Sequence, residues 1–179
     1  MTRTTYYTAS TLDGFLADEQ DSLDWLLTQD IDEHGAMNYD DFYAGIGAVA
    51  MGATTYEWLR RHLASSGESW PYDVPAWVFT HRDLPAVGEL IRFTQAPVEE
   101  VHAAMAEAAG GRDLWVVGGG DLAAQFAEQG LLDEVVVSIA PVTLGAGRPL
   151  FPRRFDLRLL GHARNRAFLC ARYEVVGPR

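Results

Sequence analysis

The sequence predicts an α/β domain in which helices cover both faces of a central, mostly parallel sheet. Short apolar runs typical of buried strands alternate with segments of helical spacing, and glycine-bearing turns follow several of these strands. The chain then ends in two alternating strands joined by a short turn, which indicates an antiparallel hairpin at one edge of the sheet. Because no internal repeat or long linker divides the 179 residues, we expect a single domain over residues 1–179.

The first half of the chain contains two predicted strands and several helical segments. The Thr- and Tyr-rich run before the Asp13-Gly14 turn is typical of a strand, and the small apolar run that ends at Gly52 is typical of a buried one. The predicted elements are a strand over 4–11, a short helical turn from residue 22, a helix over 33–44, a strand over 47–52, and a helix after it with Tyr56, Leu59 and Leu63 on one face.

The second half repeats the alternation and ends in the hairpin. A helix over 98–109 has Val98, Val101 and Met105 as its apolar stripe, and Gly110-Gly111 ends it. The other predicted elements are strands over 76–81, 90–94 and 114–117, a helix over 122–129, the longest strand over 134–142, and a hairpin after residue 152 that turns near 163–166.

Composition and charge narrow the class of protein. Hydrophobic residues make up 48% and charged residues 22%, as in ordinary globular proteins. The net charge of -11 argues against nucleic-acid binding, which depends on Lys and Arg. The one cysteine, Cys170, lies in an alternating apolar run and is predicted to be a buried thiol, with no disulfide and no metal site. Without a signal-peptide or membrane-span pattern, we expect a cytoplasmic protein.

The strongest local pattern is LWVVGGGDLAAQF, where a buried strand meets three glycines and a helix start. Gly118, Gly120 and Ala123 satisfy G-x-G-x-x-A, and Asp121 is predicted to be the helix N-cap. A turn without side chains lets a diphosphate approach the backbone, and the helix N-terminus offers free N–H groups. A tight strand-to-helix turn with no ligand explains the same residues.

A second strand ends in a similar way at AVAMGATTYEW. Gly52 ends the strand, and Thr54 and Thr55 begin the next helix. The two hydroxyl groups are candidates for capping the helix, for binding a phosphate, or for both. Two such turns in one domain favour a shared anionic ligand.

A third strand end carries a compact group of donors. Thr80, His81 and Arg82 follow WVF, and an arginine can bind a phosphate through two parallel hydrogen bonds. A solvated strand end is the alternative interpretation. The neighbouring glycine turns favour the interpretation that these residues bind a phosphate.

Acidic and aromatic residues near the N-terminus are candidates for the substrate site. Asp13 follows the first strand, and Trp25 offers a stacking surface for a flat ring. Asp40 and Asp41 on the following helix are candidate proton donors. The alternatives are a simple turn at Asp13, a core position for Trp25 and solvent-facing acids at 40–41.

These segments, in this order, resemble the dihydrofolate reductase superfamily and, within it, the reductase domain of the bifunctional riboflavin-biosynthesis deaminase-reductase. The resemblance extends over nearly the whole chain and is closest to stand-alone members that lack the deaminase domain. The matching runs are STLDGFLA, SLDWL, VAMGATTYE, WPYDVPAWVFTHR, WVVGGGDLAAQF and LLDEVVVSIAPVTLGAGRPLF.

The resemblance implies NADPH as the cofactor. It implies that Ala9, Leu16 and Ala17 flank the nicotinamide, that the glycine turns hold the diphosphate, and that residues 80–82 lie at the 2′-phosphate. The implied cofactor-binding residues are Ala9, Leu16, Ala17, Gly52, Thr54, Thr55, Thr80, His81, Arg82, Val117, Gly118, Gly119, Gly120, Asp121 and Leu122.

The resemblance also implies the reaction, a hydride transfer from NADPH to a pyrimidine-type heteroaromatic substrate, as in 5-amino-6-(5-phosphoribosylamino)uracil reductase. Asp13 and Trp25 would orient the acceptor, and Asp41 or water would supply the proton. Three departures from the family pattern keep two alternatives open, a pterin or dihydrofolate reductase and an NADPH-binding protein without turnover. Ala53 replaces an Arg, Val117 replaces a Glu, and residues 35–46 contain no Lys or Arg.

The family further implies a homodimer through the final strands and the APVTLGAGRPLF segment.

Overall fold

The computed structural model describes residues 2–178, so residues 1 and 179 of the predicted domain lie outside it. The helices are α1 (Asp24–Leu27), α2 (Tyr39–Tyr43), α3 (Ala53–Ser66), α4 (Val98–Ala109) and α5 (Gly120–Glu128). The strands are β1 (Thr4–Thr11), β2 (Phe15–Ala17), β3 (Ile46–Gly52), β4 (Ala76–Phe79), β5 (Ile91–Thr94), β6 (Asp113–Gly118), β7 (Glu134–Ala140), β8 (Arg148–Pro149), β9 (Phe155–Asn165) and β10 (Phe168–Pro178).

Eight of the strands form the predicted central sheet, in the order β5-β4-β3-β6-β1-β7-β10-β9. The neighbours from β5 to β7 pair in parallel, whereas β10 pairs antiparallel with both β7 and β9. The hairpin β9–β10 therefore supplies one edge of the sheet, and the predicted fold class is confirmed. Because β4, β3, β6 and β1 are parallel neighbours, their carboxyl ends lie along one edge, called here the carboxyl edge.

The alternation of side chains along β6 shows how the sheet is covered on both faces. Leu114 and Val116 are fully buried in one cluster with residues of α4 and α5. Trp115, between them, points to the other face and packs in a second cluster with Tyr56 of α3. The apolar run of this strand, residues 114–117, thus packs on both faces of the sheet, as is usual in parallel sheets.

Helix α4 matches its prediction at both ends. Val98, Val101 and Met105 are buried against the sheet, and each such side chain contributes about 1.5–3 kcal/mol through removal from water. Gly110 ends the helix in the left-handed conformation with φ 61°.

Several predicted bounds differ from the structure by one or two residues, and two predicted elements differ by more. The helix expected over 33–44 is only α2, because residues 33–37 form turns and Met37 has a φ of 54°. Asn38 then caps α2, accepting a hydrogen bond from the backbone N–H of Asp41. The strand expected to be the longest, β7, has 7 residues, whereas β9 and β10 have 11 each.

A separate two-stranded sheet, β2–β8, forms beside the carboxyl edge. Phe15 pairs with Pro149 and Ala17 with Arg148, and the amide of Leu150 donates a 2.9 Å hydrogen bond to the carbonyl of Gly14. This pairing brings the segment after β7 back over the end of β1.

Among residues 2–178, no helix has both the length and the apolar character needed to cross a membrane.

Candidate functional site

A cavity of about 520 Å³, called here the main cavity, opens at the carboxyl edge. It lies between the ends of β1 and β6, the starts of α3 and α5, helix α1 and the β2–β8 sheet, and its walls are mainly apolar. Ten of the residues predicted to bind the cofactor line it, namely Ala9, Leu16, Ala17, Thr54, Thr55, Val117, Gly118, Gly119, Gly120 and Asp121. The structure thus brings together most of the set that the sequence predicted.

The N-termini of α3 and α5 meet beside this cavity. Their N-cap residues are Gly52 and Gly119, so neither helix has a side-chain cap. A Cβ atom built on Gly119 would lie 4.0 Å from the amide nitrogen of Gly52. Two sets of first-turn N–H groups and two positive dipole ends therefore converge on one place, an arrangement suited to a phosphate or diphosphate.

The predicted capping roles at these helix starts are wrong. Helix α5 begins at Gly120, so Asp121 lies within its first turn, where it accepts a hydrogen bond from Gln125 and pairs with Arg153 at 2.8 Å. Thr54 and Thr55 likewise follow the N-cap of α3 rather than occupying it. Gly52 and Gly119 leave the helix ends open, which suits a ligand better than capped ends.

The glycine turn is shaped by the segments that pack on it. Gly119 has a φ of 100°, a conformation that L-residues rarely adopt. A Cβ on Gly120 would collide with the carbonyl oxygen of Pro149 in β8. The turn therefore needs glycine both for its backbone conformation and for the close approach of β8.

An ion pair that the sequence did not predict joins two walls of the main cavity. The guanidinium of Arg148 donates to the carboxylate of Asp21 through Nε at 2.5 Å and Nη2 at 3.3 Å. This hydrogen-bonded carboxylate raises the pKa of Arg148. The pair holds β8 against the loop before α1, and both residues line the cavity.

Eight lining residues were not predicted. Most lie in short segments without a periodic pattern, whereas Thr8 lies in β1 and Trp58 lies on the face of α3 that meets the cavity. The eight are Thr8, Asp21, Leu23, Leu26, Trp58, Arg148, Pro149 and Pro152. The one signal available was the GAGRPLF run, which the sequence analysis assigned to a dimer contact.

The third predicted strand end lies on the same edge but outside the lining of the main cavity. The side-chain oxygen of Thr80 accepts a 2.9 Å hydrogen bond from the amide of Arg82. The guanidinium of Arg82 pairs with Glu57 of α3 at 2.9 Å, and His81 is exposed with Nδ1 at 3.2 Å from Gln95. Because β4 neighbours β3, these donors lie one strand away from Gly52. Leu122, also predicted to contact the cofactor, is buried in the core.

Asp13, predicted to contact the substrate and act in catalysis, does not line the main cavity. Its carboxylate accepts hydrogen bonds from the hydroxyl of Thr11 at 2.6 Å and from the amides of Leu144 and Gly145. These bonds, that of Thr11 first, lower the pKa of Asp13. In the structure, Asp13 therefore anchors the loop after β7, and its role in the reaction stays a prediction.

Trp25 and Asp41 are also absent from the cavity lining. Trp25 is buried in a core cluster with Ala140, Phe168 and Cys170, so the core interpretation of this residue holds. Asp41 is exposed and accepts a 2.8 Å hydrogen bond from the side chain of Asn38, in a reciprocal cap of α2. Cys170 is a buried free thiol, as predicted.

Chemically, the main cavity combines an anion site with an apolar chamber. The open helix ends at Gly52 and Gly119 suit the diphosphate of a dinucleotide. Ala9, Leu16 and Ala17 line the cavity and give it an apolar surface against which a flat ring can lie. The residues present therefore fit a nicotinamide dinucleotide, with Arg82, on the neighbouring strand end, as a candidate for a further phosphate.

Comparison with known families agrees with this geometry. The model of the RibD C-terminal domain family matches residues 4–165. The uncharacterized protein YwjB of Bacillus subtilis (strain 168) is 32% identical over 150 residues, which are 83% of this chain and 82% of that protein. The uncharacterized protein YyaP of the same organism is 28% identical over 163 residues, 85% of this chain and 83% of its own length.

Solved structures share the fold. A protein of Shewanella sp. PV-4 that is named for riboflavin biosynthesis superposes with a TM-score of 0.80 at 21% identity, covering 97% of this chain and 98% of its own. A pyrimidine reductase-like protein of Corynebacterium diphtheriae gives 0.58 at 14%, covering 98% and 92%. The diaminohydroxyphosphoribosylaminopyrimidine deaminase/5-amino-6-(5-phosphoribosylamino)uracil reductase of Thermotoga maritima gives 0.65 at 16%, and the match covers 97% of this chain but 56% of that longer protein.

Proposed function

The chain belongs to the RibD C-terminal domain family, and from this premise we propose that it is an NADPH-dependent reductase of a pyrimidine-type heteroaromatic substrate. The reaction is the one in the name of the Thermotoga maritima relative, reduction of a ribosylaminouracil phosphate. A cytoplasmic location and a single-domain organisation are parts of the same proposal.

The observation that carries the proposal is the meeting of two uncapped helix N-termini, at Gly52 and Gly119, beside one cavity, which Gly119 lines and Gly52 does not. Backbone N–H groups at such ends bind phosphate oxygens without a basic side chain, which suits a protein with a net charge of -11. The diphosphate would lie here, and Thr55, whose side chain packs against Gly118, would contribute a hydroxyl donor.

The rest of the cavity would position the reacting rings. NADPH, when bound, supplies the hydride, and the chain supplies placement and the exclusion of water. Leu16 and Ala17 form an apolar wall for the nicotinamide, while Leu23 and Leu26 face the space left for the acceptor. Such a chamber strengthens electrostatic interactions inside it and holds the two rings in contact.

The acids of the cavity wall differ from those that the sequence suggested. Asp21 and Asp121 line the cavity, whereas Asp13 and Asp41 are engaged elsewhere. Asp21 is held by Arg148, so its carboxylate group is fixed in position. We propose that a water molecule held at the Asp21–Arg148 pair delivers the proton that the substrate takes up together with the hydride.

One observation favours a second substrate class. Residues 35–46 contain no Lys or Arg to hold a ribose phosphate in the way the riboflavin-pathway enzymes do. A pterin or dihydrofolate reductase, whose substrate ring has no ribose phosphate, is therefore the second candidate.

The test is NADPH oxidation followed by absorbance with three kinds of acceptor: ribosylaminouracils, dihydropterins and dihydrofolate. The proposal expects oxidation with a ribosylaminouracil and slower oxidation with the others. Faster oxidation with dihydropterins or dihydrofolate would select the second candidate. Binding of NADPH without turnover of any acceptor would overturn the reductase proposal in favour of a nucleotide-binding protein.

A further inference from the structure

Charged side chains line the main cavity at three positions of the described chain, and one of them has no partner within the lining. They are Asp21, Asp121 and Arg148. Asp21 and Arg148 form an ion pair, so their charges offset each other. The carboxylate of Asp121 therefore leaves the lining with one net negative charge, at the helix end where the diphosphate is proposed to bind.

Asp121 and a bound diphosphate would compete for the same end of α5. Asp121 lies in the first turn of that helix, where the positive end of the helix dipole stabilises an acid. The same dipole and the free N–H groups of the first turn attract a phosphate. Because two negative charges at one helix end repel each other, an uncompensated Asp121 would weaken the binding of the diphosphate.

Donors outside the cavity hold both carboxylate oxygens of Asp121. Its Oδ1 lies 2.8 Å from Nη2 of Arg153, and its Oδ2 accepts a 2.8 Å hydrogen bond from the side-chain amide of Gln125. Neither Gln125 nor Arg153 lines the main cavity, and Asp121 and Gln125 share the exposed face of α5. The two contacts therefore draw the carboxylate toward that exposed face.

Arg153 itself is fixed along the exposed face of α5. Its Nε donates a 3.0 Å hydrogen bond to Glu128, the last residue of the helix, so the guanidinium bridges the last turn and Asp121 in the first. On either side of Arg153 in the chain, the rings of Phe151 and Phe155 meet edge to face with centroids 5.2 Å apart, and both pack against the core. These contacts hold a positive charge next to Asp121.

We propose that Arg153 is a positioning residue for the cofactor, which neutralises Asp121 and holds its carboxylate away from the diphosphate. This inference rests on the proposed function and deepens it, because it assigns the charge balance of the cofactor site to a residue outside the cavity. It also explains how a lining with one net negative charge can bind an anionic group.

The experiment measures the dissociation constant of NADPH by calorimetry for the full chain and four variants. Arg153→Gln removes the positive charge, Asp121→Asn removes the negative one, and the double variant removes both. Glu128→Gln is the matched control, because it breaks the other ion pair of Arg153 at a residue that does not line the main cavity. Melting temperatures report whether each variant is folded.

Arg153→Gln should weaken the binding of NADPH by about fivefold at low salt, a modest loss because the side chains of Arg153 and Asp121 are 40% and 60% exposed. This loss should fall below about twofold in about 0.5 M salt, which screens the repulsion. Asp121→Asn should bind NADPH at least as tightly as the parent. The double variant and Glu128→Gln should stay within about twofold of the parent.

The signs of the two single effects separate this role from a merely structural one. Arg153→Gln and Asp121→Asn break the same ion pair, so a structural role of the pair predicts that both weaken NADPH binding. The proposal predicts a loss of affinity in Arg153→Gln alone, and recovery of that affinity when Asp121→Asn is added.

The inference is overturned if Arg153→Gln binds NADPH as tightly as the parent, or if Asp121→Asn weakens binding as Arg153→Gln does. It is also overturned if the double variant stays as weak as Arg153→Gln, which would place Arg153 itself at the diphosphate. These results leave the proposed function intact, since the parent would still bind and oxidise NADPH. The expected affinities without turnover of any acceptor would sink only the reductase, and a parent that does not bind NADPH would overturn both.

Discussion

The carboxylate of Asp13 accepts a 2.7 Å hydrogen bond from the amide of Gly145 and ties the turn after β1 to the loop after β7. The amide of Leu144 and the hydroxyl of Thr11 bind the same carboxylate. Residues more than 130 positions apart are thereby fixed beside the main cavity. The segment that continues from this loop forms β8, whose Arg148 and Pro149 line that cavity.

Asp13→Asn is expected to lower the free energy of unfolding while kcat falls less than about tenfold, because Asp13 holds a loop and does not touch the reacting rings. The pKa of Asp13 is lowered in the fold. Its stabilisation is therefore present above the ordinary carboxyl pKa and is lost as the pH falls through the folded value. Denaturant titrations of both proteins between neutral and acidic pH check this. A loss of kcat of about hundredfold or more with unchanged stability would restore the catalytic role.

Arg82 and Glu57 determine the preference for the phosphorylated cofactor in this account. Arg82→Ala should weaken the binding of NADPH by about tenfold or more, because a charged hydrogen bond is lost. The dissociation constant of NADH should change less than about twofold. Glu57→Gln frees the guanidinium from its 2.9 Å partner and should strengthen NADPH binding. Fluorescence titrations with both cofactors give the dissociation constants. Equal losses of NADH and NADPH affinity in Arg82→Ala would remove this arginine from the 2′-phosphate.

His102 should make stability depend on pH. Its Nε2 lies 2.9 Å from the hydroxyl of Thr4, and burial lowers the pKa of His102 below its ordinary 6.5. The unfolded chain then takes up this proton first as the pH falls, so the stabilisation is complete above about 6.5 and is lost below it. The difference in unfolding free energy between the parent and His102→Gln should shrink from pH 7.5 to pH 5.5, roughly one unit on either side of that value. If this free-energy difference stayed constant or grew as the pH falls, it would contradict the lowered pKa of His102.

We propose that the hairpin β9–β10 forms a homodimer interface. β9 is an edge strand of 11 residues, and Leu157, Leu159 and Leu169 are 42%, 53% and 52% exposed on the hairpin. Exposed apolar edges of this length favour pairing with another chain. Sedimentation should give two copies for the parent and one for Leu159→Asp. Leu12→Asp, which changes a leucine that is 68% exposed elsewhere, should remain dimeric. A monomeric parent would refute the interface.

Elements with strong local patterns could be predicted from the sequence. The uninterrupted apolar run of β6 and the periodic apolar stripe of α4 each bury a continuous surface, so the local hydrophobic pattern predicted both elements. The shortness of α2 could not be predicted, because it depends on the positive φ of Met37 and on the Asn38 cap.

The candidate site likewise contains residues that could be predicted from the sequence and residues that could not. The glycine turns follow strands whose parallel order places their ends together, so Gly52 and Gly119 were predictable. Arg148 was not, since β8 has two residues and reaches the cavity only by pairing with β2. The bonds from Asp13 to Leu144 and Gly145 could not be predicted either, because these partners lie in a loop that no sequence pattern connects to Asp13.

The most direct test of the account is calorimetric titration of NADPH into the parent and Gly52→Val. Gly52 has an ordinary φ of -79°, and a Cβ there would meet only the carbonyl oxygen of Gly118 at 4.0 Å. The fold should therefore tolerate the substitution, while the side chain enters the space where the diphosphate approaches. Gly45→Val, just before the other end of β3, is the control, with its nearest atom the carbonyl oxygen of Phe42 at 3.8 Å.

The account predicts micromolar binding to the parent and to Gly45→Val, and a loss of about thirtyfold or more in Gly52→Val with an unchanged melting temperature. A parent that fails to bind NADPH at about millimolar concentration, or a Gly52→Val protein that binds it as tightly as the parent, would contradict the central claim.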